Sequence, residues 1–179
     1  APTASRVLIS GPNGSGKELA ARCIHHQSDR RDSRFIVANC ARLGAERADV
    51  ELFGSDGVAT SRRIVGLFEQ AHKGTLYFDE VCDLPLETQG KIVRAVAEQR
   101  FRRVGGNKEV SVDVRVISAS SRDLSAAIAE GRLREDLYYR LGVVPLSMPP
   151  LSERREDIPH LARHFVDLVA RRTGLGKVK

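Results

Sequence analysis

The sequence has few aromatic residues, no tryptophan and no paired cysteines. Aromatic side chains make up 5% of its 179 residues, and no basic stretch with interleaved aromatics indicates direct binding to nucleic acid. Cys23, Cys40 and Cys82 form no Cys-x-x-Cys pair and are odd in number, so we expect buried, reduced thiols, as in a cytoplasmic protein. No apolar run reaches membrane-spanning length and we expect no signal peptide, which together favour a cytoplasmic protein.

The charges are mixed rather than clustered. The formal net charge is +6, but the arginines are scattered over predicted helices and turns, which favours a solvated surface over an anion-binding patch. His160 and His164 lie four residues apart on a predicted helix without a nearby third ligand, so a solvated helix face is favoured over a shared metal.

The strongest motif is the segment GPNGSGK at residues 11–17. Its G-x-x-x-x-G-K spacing, between a β-branched run and a helical pattern, is typical of a loop that wraps phosphate with backbone N–H groups and the start of a helix. We expect Lys17 to reach the terminal phosphates of ATP or ADP. Glu18 stands where such loops usually have a Ser or Thr hydroxyl for Mg²⁺, so the metal needs another ligand. The residues predicted to bind the nucleotide are Gly11, Pro12, Asn13, Gly14, Ser15, Gly16, Lys17, Glu18 and Asp79.

A second motif, an apolar strand that ends in two carboxylates, supplies that ligand. Residues 75–78 read TLYF and are followed by Asp79 and Glu80. Asp79 can orient a hydrated Mg²⁺ ion, and Glu80 can polarise a water for attack on the γ-phosphate. Both lie at the carboxyl end of a predicted parallel strand, where ligands of such sheets bind. The alternative is that the two residues only cap the following turn.

Arg134 and Arg140 are candidates for the positive charge that phosphoryl transfer requires. They lie six residues apart in LREDLYYRLG and are predicted to project in different directions from one helix. Surface ion pairing is the alternative for both arginines.

Strand and helix patterns alternate along the chain, which predicts an α/β fold with a parallel sheet covered on both faces. The final helix is predicted to turn one apolar face inward, formed by Ile158, Leu161, Phe165, Leu168 and Val169. The predicted strands are residues 6–10, 35–39, 75–78, 112–118 and 145–146. The predicted helices are residues 17–27, 86–100, 124–129 and 155–172. A hairpin is predicted over residues 101–112, with its turn at residues 105–107.

Eight segments in chain order resemble the central AAA+ ATPase domain of the NtrC family, the sigma-54-dependent bacterial enhancer-binding activators. They are GPNGSGKELAA, FIVANCARL, ELFG, GLFEQAHKGTLYFDEV, RFRRVGG, VDVRVISASSRDL, LREDLYYRLGVVPL and PPLSERREDIPHLARHF. In that family the phosphate loop ends in Gly-Lys-Glu, which accounts for Glu18. The resemblance implies a P-loop NTPase fold at residues 1–148, a three-layer αβα sandwich around a five-stranded parallel sheet. A linker and the first helix of an α-helical lid are implied at residues 149–179.

The resemblance also implies roles for individual residues. Glu80 matches the general base, Asn39 the residue that restrains it, and Ser121 a sensor of the nucleotide. Arg134 and Arg140 match arginines that the family offers to the nucleotide of the adjacent subunit. Asp79 matches the residue that holds Mg²⁺ through water. The catalytic unit implied is a ring of identical subunits, expected to be a hexamer.

Two segments depart from the family pattern. The activators carry a GAFTGA loop that contacts sigma-54, whereas residues 55–65 of this chain hold no such motif and no aromatic tip. Because an apolar anchor is missing, this departure argues against the usual contact with sigma-54. Among members of the family, a chain without the loop most resembles the NtrX-type response regulators. The family tends to have Thr-Asn where this chain has Ser120 and Ser121, which predicts slower hydrolysis.

The function implied is that of the ATPase module of a bacterial two-component transcriptional response regulator. DNA would be contacted through a domain outside this chain, and no membrane partner is expected. One output is a ring ATPase that remodels a promoter complex. The alternative is a nucleotide-dependent oligomerisation switch that activates or represses through attached DNA-binding domains without remodelling sigma-54 complexes. A small-molecule P-loop kinase is disfavoured by the arginine pair. We expect hydrolysis in the assembled full-length protein and little in residues 1–179 alone.

Overall fold

The computed structural model of the protein describes residues 4–57 and 63–173. The strands in these ranges are β1 (Val7–Ser10), β2 (Phe35–Asn39), β3 (Thr75–Asp79), β4 (Arg100–Arg102), β5 (Glu109–Ser111), β6 (Arg115–Ser120) and β7 (Val144–Ser147). The α-helices are α1 (Lys17–His26), α2 (Ala48–Phe53), α3 (Leu67–Gln70), α4 (Leu86–Glu98), α5 (Leu124–Ala129), α6 (Glu135–Leu141) and α7 (Ile158–Thr173).

Five strands form one parallel sheet in the order β2-β3-β6-β1-β7. Within it, Val7 of β1 lies opposite Ile117 of β6 on one side and Val144 of β7 on the other. Because all five strands run in the same direction, their carboxyl ends meet at one edge of the sheet. The predicted α/β fold with a five-stranded parallel sheet is therefore confirmed, and the loop after β1 lies at the same edge as the ends of β3 and β6.

The sheet buries apolar side chains on both faces. Leu8, Phe78 and Val116 belong to one buried cluster, whereas Val7 and Ile117, their neighbours along the strands, belong to another. Successive side chains of a strand point to opposite faces, so each strand contributes to both clusters. Each apolar side chain of this size contributes about 1.5–3 kcal/mol when it is fully buried.

Two short helices, α2 and α3, are absent from the predicted elements and are held by aromatic packing. The rings of Phe53 and Phe68 stack with centroids 5.4 Å apart and an interplanar angle of 7°. Phe101 of β4 packs against both rings, at 5.4 and 5.7 Å. Helices of six and four residues are too short to show an amphipathic period, so tertiary contacts rather than local pattern stabilise them.

The predicted hairpin is present, but the strand after it begins later than expected. β4 and β5 pair antiparallel, with Phe101 opposite Val110. β6 begins at Arg115 instead of residue 112, because the preceding backbone bonds to the end of α4. Val112 N donates to the carbonyl oxygen of Gln99 over 2.8 Å, and Val114 N donates to its Oε1 atom over 2.7 Å.

Cys40 and Cys82 are buried as predicted, but Cys23 is exposed. The buried residues of α1 are Lys17, Ala21 and His25, which recur every four residues and so share one face of the helix. Position 23 lies off that face, and the predicted burial of its thiol is therefore wrong.

The chain divides into two compact units, Ala1–Met148 and Pro149–Lys179. In the second unit, Ile158, Phe165 and Val169 of α7 are 44%, 58% and 55% exposed, so the prediction that they face inward is wrong. Residues 149–173 contain short 3₁₀ turns and this one α-helix, and no second helix among them covers the apolar face. No helix in the described ranges is both long and apolar enough to cross a membrane.

His25 is a buried titratable residue between α1 and β3. Its exposed fraction is 2%, and its Nδ1 atom lies 2.9 Å from Thr75 Oγ1. Burial of the ring, followed by the charge of neighbouring His26, lowers the pKa of His25 below its ordinary value of 6.5. The folded protein therefore disfavours the imidazolium form relative to the unfolded chain.

We predict that the free energy of unfolding decreases as the pH falls below 6.5 towards the lowered pKa of His25, because only the unfolded chain readily takes up this proton. In His25→Gln the urea-denaturation midpoint should depend less on pH in this window. His26→Gln is the control, because His26 is exposed and causes only part of the shift, and most of the slope should remain. An unchanged slope in His25→Gln would contradict the assignment.

Candidate functional site

The loop at residues 11–17 leaves the carboxyl end of β1 and enters α1 through a left-handed glycine. Gly11 N donates to the carbonyl oxygen of Ser120 over 3.2 Å, which ties the loop to the end of β6. Ser15 N donates to the carbonyl oxygen of Pro12 over 3.1 Å and closes a turn. Gly16, at the N-cap of α1, has φ 91°, a conformation that favours glycine. It offers no side chain to cap the helix, so the first N–H groups of α1 can bind an anion.

Lys17 lies at the centre of the site. It is 7% exposed, and its Nζ atom donates to the carbonyl oxygens of Gly11 and Pro12 over 3.0 and 3.3 Å. The same atom lies 3.3 Å from Glu80 Oε1. One ammonium group thus connects the loop after β1 to the end of β3.

Glu80 is held through both carboxylate oxygens. Oε1 faces Lys17, and Oε2 accepts hydrogen bonds from the backbone N and the Oγ of Ser121 over 2.8 and 2.9 Å. The backbone of Glu80 is left-handed, with φ 55° and ψ 56°, which is strained for a residue with a side chain. The sequence pattern identified Glu80. It did not predict the hydrogen bonds from Ser121, because these form only when β6 lies next to β3 in the sheet.

Asp79 is oriented by a residue that the sequence reasoning missed. Tyr77 Oη donates to Asp79 Oδ1 over 2.9 Å. Burial, together with the charge of Asp79, raises the pKa of Tyr77, so its hydroxyl stays protonated and remains a donor. The sequence carried a signal for this contact, because Tyr77 and Asp79 lie two residues apart in a strand and therefore project from the same face of the sheet.

The chemistry of the donors fits a hydrated Mg²⁺ ion that also binds phosphate oxygens. Among the described residues no group of three or more His, Cys, Asp or Glu could hold a metal by itself. Asp79 offers a half-buried carboxylate with one oxygen fixed by Tyr77. Mg²⁺ commonly takes one or two carboxylates and completes its shell with water and phosphate, so Asp79 fits that role. The carboxylate of Glu18 is occupied by Arg22, which donates two hydrogen bonds to it over 2.9 and 2.7 Å at the exposed surface of α1.

Asn39 lies beside the acidic pair at the end of β2. It is the register partner of Asp79 in the pairing of β2 with β3, and its side chain is exposed. In the described part of the chain the side-chain partners of Glu80 are Lys17 and Ser121, and Asn39 is not among them.

Arg134 and Arg140 lie at opposite ends of α6. Arg134 is the N-cap, with extended backbone (φ −70°, ψ 133°), so the prediction that both arginines lie in one helix is wrong for Arg134. Its Nε and Nη2 atoms donate to the two oxygens of Asp136 over 3.0 and 2.8 Å, which lowers the pKa of Asp136. Arg140 lies in the last turn, half-buried, where its charge adds to the effect of burial in lowering the pKa of Arg6.

The ends of the segment at residues 55–65 are joined at its base. Ser55 and Ile64 exchange backbone hydrogen bonds of 3.0 and 2.9 Å. Arg103, 8% exposed, donates to Glu69 through two bonds of 2.7 Å and to Asp56 over 3.0 Å. The bonds to Glu69 raise the pKa of Arg103. Residues 58–62, on which the predicted absence of an aromatic tip partly rests, lie outside the described residues.

A family model described as the sigma-54 interaction domain matches residues 1–147. The nitrogen assimilation regulatory protein NtrX of Azorhizobium caulinodans is 52% identical over 178 residues, which cover 99% of this chain and 39% of the relative. The DNA-binding transcriptional regulator NtrC of Klebsiella pneumoniae is 46% identical over 172 residues, which cover 94% of this chain and 37% of the relative. The chain therefore spans less than half the length of these curated relatives.

Solved structures give the same relationship. Crystal structures of NtrX from Brucella abortus in complex with ADP and with ATP each match with a TM-score of 0.90 and 50% identity. Each match covers 97% of this chain and 38% of the solved chain. Sequence and fold thus lead to the same relatives.

We predict that Gly11→Ala destabilises the protein. A Cβ atom at Gly11, where φ is 153°, would overlap the carbonyl oxygen of Met148. We expect the free energy of unfolding in urea to fall by about 3 kcal/mol, because backbone atoms must move to relieve the overlap. Gly44→Ala is the matched control, because a Cβ there meets no atom within 4 Å, and its effect should stay within about 0.5 kcal/mol. Equal effects of the two substitutions would refute the steric argument.

Proposed function

The chain belongs to the sigma-54 interaction domain family, and from that premise we propose that it is the ATP-binding and ATP-hydrolysing module of a bacterial two-component transcriptional response regulator of NtrC/NtrX type. In this proposal a ring of subunits couples the nucleotide state to transcription. The observation that carries the proposal is the linkage of Lys17, Glu80 and Ser121 at the carboxyl ends of neighbouring parallel strands. It unites a phosphate-binding loop with a carboxylate that can act as a general base.

The phosphates of ATP or ADP would bind the backbone N–H groups of residues 11–17 and the ammonium group of Lys17. The NtrX structures described as complexes with ADP and ATP support this assignment. Asp79, oriented by Tyr77, would hold Mg²⁺ through water, and Glu80 would accept a proton from the attacking water. When bound, the Mg²⁺ ion supplies positive charge that neutralises the phosphate oxygens.

The contact between Lys17 and Glu80 gives the site a response to its ligand. A polyphosphate carries several negative charges and competes with the single carboxylate for the ammonium group of Lys17. Glu80 then loses the cation at Oε1 but keeps both hydrogen bonds from Ser121 at Oε2. The carboxylate is thereby freed on one oxygen to bind water while its direction is maintained.

The two arginines at the ends of α6 would act between subunits. Arg134 is exposed and bonds to Asp136 rather than to residues of the loop at 11–17, at least among the described residues. An exposed arginine with one local partner can exchange that partner for a phosphate oxygen of a neighbouring protomer. We assign Arg134, and Arg140 with it, to the nucleotide of the adjacent subunit in a ring, which we expect to be a hexamer in the cytoplasm.

The output towards the transcription machinery has two candidates. The family's description favours an action on sigma-54, and DNA would be bound by a domain outside this chain. The short segment at residues 55–65, which lacks the GAFTGA motif, favours the alternative, in which nucleotide sets the oligomeric state and the attached DNA-binding domains activate or repress without remodelling sigma-54 complexes.

In the full-length protein, Glu80→Gln should lower steady-state phosphate release from ATP by roughly 10²–10⁴-fold, because the amide cannot accept the proton of water. ATP affinity should be equal or higher, because the competing charge on Lys17 is gone. Glu109→Gln is the control, since Glu109 lies on β5 and pairs with Arg100 instead. Equal phosphate release by the Glu80→Gln and unsubstituted proteins would refute hydrolysis that depends on Glu80, and nucleotide-dependent assembly that is still intact would then leave the switch.

Mixing variants tests the action of Arg134 between subunits. Lys17→Ala removes the phosphate ligand of its own site, and Arg134→Ala removes the arginine offered to a neighbour. Each variant alone should be nearly inactive, but equal mixing should restore activity at about one interface in four, where an intact loop meets an intact arginine in a head-to-tail ring. Mixtures without recovery would mean that Arg134 acts elsewhere or only within its own subunit.

A further inference from the structure

Gln89 is a fully buried amide in the first turn of α4. Its exposed fraction is 0%, and it lies on the same helix as the apolar core residues Ile92 and Val96. A buried amide stabilises a fold only where its polar atoms find partners, since an unpaired one costs roughly 1–3 kcal/mol. The partners of Gln89 therefore indicate what the residue does.

In the described ranges, these partners are main-chain groups of two other segments. Gln89 Nε2 donates to the carbonyl oxygens of Leu84 and Arg132 over 2.9 and 2.8 Å. Gln89 Oε1 accepts a hydrogen bond from Arg134 N over 2.9 Å. Leu84 directly follows the 3₁₀ turn Val81–Asp83, and Glu80 directly precedes it. One side chain thus joins the segment after the acidic pair to the segment that leads into α6.

The same helix also supports the side chain of Arg134. A Cβ atom at Gly90 would lie 3.7 Å from Arg134 Cζ, so the guanidinium packs directly over the turn that carries Gln89. Arg134 lines a groove of about 400 Å³ together with Lys91 and Arg94 of α4. Asp136 then fixes the direction of the guanidinium at the rim of this groove.

We propose that Gln89 is the positioning residue for Arg134: its amide fixes the backbone from which this arginine reaches the neighbouring protomer, and ties that backbone to the segment that follows Glu80 in the same protomer. The inference rests on the proposed function, because it takes Arg134 to act on a neighbour's nucleotide. Through Gln89, a shift of the turn after Glu80 in one active site moves the arginine that serves the next active site.

The test uses the full-length protein with Gln89→Met, which keeps the side-chain volume and removes all three hydrogen bonds. We expect ATP affinity within about threefold of the unsubstituted protein and phosphate release lowered by roughly 10²-fold, the usual effect of a small misplacement of a catalytic group. Thr88→Val is the matched control. Thr88 is the adjacent buried residue of α4, and its hydroxyl bonds to Asp49 over 2.8 Å, away from Arg134. This variant should retain full phosphate release.

Complementation separates positioning from a general loss of fold. Gln89→Met mixed with Lys17→Ala should recover activity, because the Lys17→Ala protomer supplies an intact arginine to an intact loop. Gln89→Met mixed with Arg134→Ala should not recover, because both lack a placed arginine. If Lys17→Ala and Arg134→Ala do not complement each other, the proposed function fails. If they do, but Gln89→Met does not recover with Lys17→Ala, this inference fails.

Gln89→Asn provides a second variant if the methionine variant does not fold. It retains the amide but is one methylene shorter, so it cannot hold all three main-chain partners at their present distances. The same pattern of complementation is expected. Full phosphate release by a folded Gln89→Asn or Gln89→Met protein would overturn the assignment.

Discussion

The ion pair between Lys17 and Glu80 is the contact on which the candidate site depends. It joins the loop after β1 to the end of β3, which are not neighbours in the sheet because β6 lies between them. Ser121, just after β6, bridges that separation by donating two hydrogen bonds to the same carboxylate. Segments far apart in the sequence therefore converge on one charged centre, and the parallel strand order makes this convergence possible.

The parts of the site that the sequence predicted are local patterns with their own chemistry. GPNGSGK specifies a glycine-dependent backbone path followed by a helix and a lysine, and TLYFDE specifies a buried strand that ends in two carboxylates. The second pattern also predicted that Asp79 and Glu80 lie at the carboxyl end of a parallel strand, where ligands of such sheets bind. The alternation of strands and helices predicted the parallel sheet, because the apolar pattern of each strand or helix is visible within a few consecutive residues.

The features that the sequence did not predict depend on what each segment packs against. Gln89 occupies one turn of an amphipathic helix, and its partners at residues 84, 132 and 134 are known only once that helix is packed. Arg134 was expected inside a helix, but the bond from its N–H to Gln89 holds it at the cap. The spacing of apolar residues in α7 predicts that they share one face of the helix. Spacing alone does not say which other element covers that face.

The left-handed backbone of Glu80 fixes the direction in which its side chain leaves the end of β3. The turn is closed by Asp83 N, which donates to the carbonyl oxygen of Glu80 over 2.9 Å, and Val81 and Cys82 are buried directly after it. The main chain therefore sets where the Cβ atom leaves the end of β3, and Lys17 and Ser121 set where the carboxylate lies. A substitution at position 80 therefore changes the chemical group but not the point at which its side chain leaves the end of β3, so a variant there alters reactivity from the same starting position.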